Sequence, residues 1–136
     1  MLENSKHIII VGAGIAGLTA ALSLRHYGIR TSIYERSPEI ITAGAGIQLS
    51  PNANRVLSRI GVLKEISSVS IRCHGVKVFD YKSNRQLALF DYMKFKGNDF
   101  FYFCHRADLV GVLYAACQKL EIPVYFNKKL EKIINK

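Results

Sequence analysis

The 136-residue sequence predicts an α/β fold: a βαβ unit on a parallel sheet, with a small antiparallel β insertion. Three observations predict it. Short apolar runs, Ile8 to Val11 and Thr31 to Tyr34, flank an Ala- and Leu-rich stretch of helical period. A glycine-rich turn joins the first run to that helix. Between Ile71 and Leu89 the period shortens to two, with Val76 and Val78 alternating with Lys77 and Phe79 before the polar turn Lys82 to Arg85.

Each element follows from local chemistry. Ile8 to Val11 reads as a strand leading into Gly12-Ala13-Gly14-Ile15-Ala16-Gly17. The first helix is predicted from about Gly14 to Tyr27, with Leu18, Ala21 and Leu22 as its apolar stripe and Gly28 at its C-terminal cap. The second strand, Thr31 to Tyr34, ends in Glu35-Arg36, and Ser37-Pro38 stops regular structure. A glycine-rich segment, Ala43 to Leu49, follows without an assigned element. Ser50 suits a helix cap and Pro51 the first helical position, in a helix carrying Ala53, Val56, Leu57 and Ile60 that stops at Gly61. A shorter helix spans Val62 to Ser67.

Beyond the insertion, Asp91 to Asp99 reads as a loop and Phe100 to His105 as an aromatic strand. From Ala107 to Leu120 the residues Leu109, Val110, Leu113, Ala116 and Cys117 recur at helical spacing, with Asp108 in the first turn. Ile122 to Phe126 is a short strand expected to lie parallel beside the second one. Leu130 to Lys136 is expected to begin another.

Composition bounds the class. Nearly half of the residues are apolar, and seven each are Phe and Tyr, which excludes a disordered chain. The net charge is +9, but Lys and Arg are spread along the chain and no nucleic-acid motif accompanies them. A solvated basic surface is expected, and no nucleic acid. Cys73, Cys104 and Cys117 lack CxxC spacing, which argues against a zinc site or a disulfide framework and suits a reducing compartment. The apolar stretch Ile8 to Leu24 has its glycines at nucleotide-binding spacing, and no cleavage site follows it. No membrane span is expected, and the cytoplasm is the expected location.

Strand, GxGxxG, helix, strand and acid form the order of a Rossmann-like dinucleotide site. Gly12 permits the tight turn, Gly14 lets the backbone approach a pyrophosphate, and Gly17 lets the helix pack closely on the strand. Glu35 lies 18 positions past Gly17, where a ribose-binding acid is expected. Its carboxylate would accept hydrogen bonds from ribose hydroxyls and repel a 2′-phosphate, which favours FAD or NAD over NADP. Arg36 either opposes that preference or lies in solvent. A strand–turn–helix without ligand is the plainer alternative, and the full context weighs against it.

Three ordered stretches resemble the class A FAD-dependent monooxygenases, among them para-hydroxybenzoate hydroxylase and salicylate hydroxylase-like enzymes. They are Val11 to Gly17 with Tyr34-Glu35-Arg36, Gly44 to Ala53 through Leu57 to Gly61, and His105-Arg106-Ala107-Asp108-Leu109 through Leu113. The resemblance implies that residues 1–136 are the N-terminal, FAD-binding portion, with the substrate-binding domain largely absent. It implies that the loop Gly12, Ala13, Gly14, Ile15, Ala16, Gly17 carries the FAD pyrophosphate and Glu35, beside Arg36, the adenosine ribose. Gly46, Ile47 and Gln48 would lie toward the flavin, and Arg106 would reach the ribityl–phosphate region. The guanidinium of Arg106, after a strand and at a helix start, suits a phosphate; a surface ion pair is its plainer alternative.

Glutamine cannot act as a base near neutral pH, so Gln48 is at most a lining residue, and His105 is read as structural. No residue is assigned a catalytic role. The intact family uses NAD(P)H as co-substrate and oxygen to hydroxylate a small aromatic or related substrate. A downstream chain carrying the rest of the enzyme is an implied partner. A truncated, inactive remnant and an NAD-dependent dehydrogenase fragment are the alternatives.

Overall fold

The computed structural model describes residues 7–40, 44–94 and 100–134. Three short sheets organise the chain. In the first, β1 (His7–Val11), β2 (Arg30–Tyr34) and β8 (Val124–Tyr125) run parallel, with Ile10 opposite Ile33 and Ile33 opposite Val124. The strand at 124–125 therefore takes its expected place beside the second. In the second sheet β7 (Phe101–His105) lies between β3 (Gly46–Leu49) and β4 (Ile71–Cys73), antiparallel to both. The third is the expected hairpin, β5 (Gly75–Phe79) with β6 (Gln86–Asp91).

Helix α1 (Ile15–His26) connects β1 to β2 and packs against α4 (Arg106–Lys119). The core forms where they meet the sheet: Leu18, Ala21 and Leu22 from α1, Ile33 from β2, and Leu109, Val110, Leu113 and Cys117 from α4. Helices α2 (Pro51–Arg59) and α3 (Leu63–Ser68) add Leu57 and Ile66 to it. The other face of the parallel sheet leaves Ile9 63% and Val11 54% exposed. Parallel sheets ordinarily bury both faces. Among the described residues no helix is long and apolar enough to cross a membrane.

Helix ends account for much of the connectivity. Gly28, at φ +73°, closes α1: its N–H donates to the Arg25 carbonyl, and the Ile29 N–H donates to that of Leu24. Gly61 closes α2 in the same way, with Val62 N–H donating to Leu57. At α4 the equivalent position is Glu121, at φ +54°. Its N–H donates to the Gln118 carbonyl and that of Ile122 to the Cys117 carbonyl. A side chain in this left-handed region costs roughly 1–2 kcal/mol, partly offset by the greater chain entropy of glycine when unfolded. Glu121→Gly should therefore stabilise the fold by roughly 0.5–1 kcal/mol, read as a higher urea midpoint. A lower midpoint would contradict this.

Three expectations need correction. The glycine-rich segment, given no element above, forms β3 from Gly46 onward. Ile47 and Leu49 turn inward and Gln48 outward, a period of two that the flanking glycines obscure. Of residues 130–136, expected to begin a strand, 130–134 carry no regular structure and 135–136 lie outside the described residues. A strand needs a neighbour to take its hydrogen bonds, and among the described residues no strand pairs with the outer edge of β1 or of β8. Asp91 belongs to β6 and Tyr92–Lys94 forms a 3₁₀ turn, while 95–99 of the expected loop lie outside the described residues. Ser50 does occupy the cap of α2, but its hydroxyl makes no capping hydrogen bond.

Candidate functional site

The carboxyl ends of β1 and β2 open into a cleft of about 290 Å³. Crevices at this end of a parallel sheet are where α/β folds hold ligands. The Gly12 N–H donates to the Tyr34 carbonyl at 2.8 Å, which holds the two strand exits side by side. Gly12 makes the turn at φ +100°, a conformation that L side chains rarely adopt.

The three glycines do three different things. A Cβ on Gly17 would overlap the Gly12 carbonyl oxygen and come within 3.3 Å of Ile10 Cγ2, so only glycine lets α1 sit this close to β1. A Cβ on Gly14 would meet nothing within 4 Å, because it would project into open space. Gly14 is also the cap of α1, without a capping side chain, and no acid stands in the first turn. The unpaired N–H groups that begin any α-helix, with its positive dipole end, therefore meet the cleft without an acid from their own turn to satisfy them.

Glu35 is held on two sides. Its Oε2 accepts from the Ala13 N–H at 2.7 Å and its Oε1 from the Ser37 N–H at 2.9 Å. The Ala13 bond first and the Ser37 bond second lower the pKa of this carboxyl, outweighing the opposite effect of its slight burial. A carboxyl whose folded-state pKa is lowered adds stability that is complete above its unfolded-state pKa. That stability is lost as acid titrates the group through the lower folded-state value. Glu35 is thus ionised at neutral pH, and each oxygen retains capacity to accept a further donor. Its backbone is braced as well: Glu35 N–H donates to Tyr125 and Lys128 N–H to Glu35, both at 2.8 Å.

Arg106 reaches the same cleft from the other side of the chain. It is the first residue of α4, and its N–H donates to the Ala45 carbonyl at 3.2 Å. The structure thus gathers Gly12, Ala13, Gly14, Glu35, Arg36 and Arg106 around one opening. Ile15, Ala16 and Gly17 stand behind it in the first turn of α1. Gly46, Ile47 and Gln48 lie outside the lining, on β3, with Gly46 opposite His105. Ile47 packs against the core and Gln48 faces away.

Sequence reasoning missed Ser37, Glu39, Ile40 and Val110, which also line the cleft. In the sequence Ser37 reads only as a stop signal and Val110 only as helix core. His105 caps α4 without a capping bond and is exposed. All three cysteines are free and buried, as a core role requires, and burial pushes the Cys117 thiol up to about 11.

A family model described as "FAD binding domain" matches residues 5–136. A 3-amino-4-hydroxybenzoate 2-monooxygenase of Streptomyces cremeus is 36% identical over 112 residues, 80% of this chain and 28% of that protein. The 3-hydroxybenzoate 6-hydroxylase 1 of Aquipseudomonas alcaligenes is 36% identical over 118 residues, 84% of this chain and 30% of that protein. Among solved structures, the tetrameric form of 2-methyl-3-hydroxypyridine-5-carboxylic acid oxygenase superposes with a TM-score of 0.80 at 25% identity. That match covers 91% of this chain and 32% of the other. The matched stretch covers less than a third of the length of each of these three proteins.

Proposed function

The chain belongs to the family of FAD binding domains, and from that premise we propose that the cleft at the ends of β1 and β2 holds FAD. Residues 1–136 are then the Rossmann-like, FAD-binding portion of a flavin-dependent monooxygenase. One observation carries the reading. An anion-seeking helix start, an ionised Glu35 aimed by two backbone amides, and Arg106 all meet at one opening, where Gly14 leaves room for a ligand.

The residues fit the group. The backbone from Gly12 to Gly17 takes the pyrophosphate, with the first turn of α1 as donor. Glu35 accepts from the adenosine ribose and, being charged, excludes a 2′-phosphate. Arg106, and Arg36 beside Glu35, line the cleft as cations suited to an anionic cofactor. Gly46, Ile47 and Gln48 contribute only where the cofactor extends past Arg106 toward β3, next to which Arg106 is held. The chemistry that FAD supplies when bound is NAD(P)H-dependent activation of oxygen, for hydroxylation of a small aromatic or related substrate. The names of both relatives, acting on hydroxybenzoates, support that substrate class. The family match speaks against the dehydrogenase alternative.

The remaining polypeptide of a complete enzyme, supplied by a downstream chain or segment, is the proposed partner. The exposed Ile9 and Val11 on one face of the parallel sheet support that reading. The proposed location is the cytoplasm.

Titrating the chain with FAD and following flavin fluorescence tests the cofactor reading. Saturable binding is expected, and Glu35→Ala should weaken it about 10- to 100-fold, the worth of hydrogen bonds to a charged acceptor. No saturable binding by the wild type, or an unchanged affinity in Glu35→Ala, would overturn it.

A further inference from the structure

We infer that Gly44 is a positioning residue for Arg106: its missing side chain is the seat on which the arginine stem lies, and this aims the guanidinium into the cleft. The inference rests on the reading of that cleft as the FAD site. A Cβ built on Gly44 would stand 2.8 Å from Cδ, 2.9 Å from Cβ and 3.2 Å from Cγ of Arg106. These atoms are the root of the side chain and not its flexible tip. The Arg106 Cβ is fixed to the backbone of α4, and that backbone is tied to the neighbouring residue by the bond from Arg106 N–H to Ala45.

The topology explains the meeting. Strand β3 is antiparallel to β7, with Gly46 opposite His105, so the residues just before β3 run beside the residue just after β7. That residue is Arg106. Gly14 and Gly46 have open space where a Cβ would be, whereas Gly44 has the arginine stem. A methyl group at position 44 must therefore push the stem aside by more than a few tenths of an ångström. The displacement grows toward the guanidinium, because the root is the pivot and the charged group is the far end of the lever.

A double-mutant cycle tests the inference, with FAD affinity and melting temperature read on the same four proteins. Arg106→Ala should weaken FAD binding about 10- to 100-fold. Gly44→Ala should weaken it about 5- to 10-fold when Arg106 is present and not at all in the Arg106→Ala background. The salt dependence of FAD binding should likewise fall in Gly44→Ala only while the arginine is there. A glycine that served the fold alone would give equal losses in both backgrounds, which would overturn the inference.

Melting gives an independent reading if Gly44→Ala folds poorly. Removing the stem should recover part of the lost melting temperature: Cγ and Cδ are gone, while the Cβ that alanine keeps, 2.9 Å away, and the φ of +159° at position 44 still cost stability. A loss just as large in the double variant would place its whole cause in the backbone and overturn the inference. Absence of FAD binding by the wild type would sink the function reading, while the melting cycle would still decide whether the contact exists.

Discussion

Gly14→Val should abolish FAD binding and leave the fold about as stable as before. The two effects separate because Gly14 has no neighbour within 4 Å of where its Cβ would be, and its φ of −80° and ψ of −175° suit any residue. Losing glycine as a helix cap costs a fraction of a kcal/mol to about 1 kcal/mol, and the lower entropy of the unfolded chain returns a similar amount. Stability should stay within about 1 kcal/mol of the wild type, read from urea unfolding. Binding is another matter. The isopropyl group would occupy the space over the start of α1 where the diphosphate must approach. Losing even two charge-assisted hydrogen bonds, each worth roughly 1.5–3 kcal/mol, lowers affinity 100-fold or more. A variant that binds FAD like the wild type would mean that the phosphates sit elsewhere.

Gly17→Ala should do the reverse and strike the fold first. Alanine is the better helix former by about 1 kcal/mol, so propensity alone predicts a gain. Here that term loses. The new methyl would overlap the Gly12 carbonyl oxygen, lie 3.1 Å from the Gly12 carbonyl carbon, and press on Ile10 Cγ2. None of these is the free end of a flexible side chain, so α1 has to back away from β1. That also disturbs the packing of Leu18, Ala21 and Leu22 against α4. Overpacking of this kind costs roughly 1–3 kcal/mol or somewhat more, a large part of the stability of a small domain. The expected result is a net loss of about 2 kcal/mol in urea unfolding, with weaker FAD binding as a consequence of the displaced helix start. An unchanged or higher midpoint would show that the strand and helix are not this close.

Both predictions rest on features that were legible in the sequence, because each is local. A strand exit, a positive-φ turn, an open cap and a close helix contact need glycines at fixed short spacing, and 12, 14 and 17 have it. Glu35 was legible for a related reason: the length of α1 and β2 sets where the second strand ends. Its two amide bonds, to Ala13 and Ser37, were not, since they depend on how the turn folds back over the acid.

Long-range pairing hid the rest. Strand β3 is recognisable only with β7, more than fifty positions later, and its glycines mask the alternation of Ile47, Gln48 and Leu49. Arg106 could be placed near a cofactor by resemblance, but the physical cause of its position is that same β3–β7 ladder. Only the resemblance groups Gly46, Ile47 and Gln48 with the flavin side of the site. In space they belong to the neighbouring sheet. The end of α4 is legible at Leu120, its cap, although Glu121 rather than glycine occupies the left-handed position that follows.

The central claim, that an adenine dinucleotide is seated on the opening turn, can be tested directly by following the backbone amide resonances as FAD is added. The account predicts that the largest shifts fall on residues 12–17, 35–37 and 106, and that they saturate together. Shifts concentrated instead in the hollow between α1 and α2, around His26, Arg55 and Arg59, with the glycine turn unmoved, would contradict it.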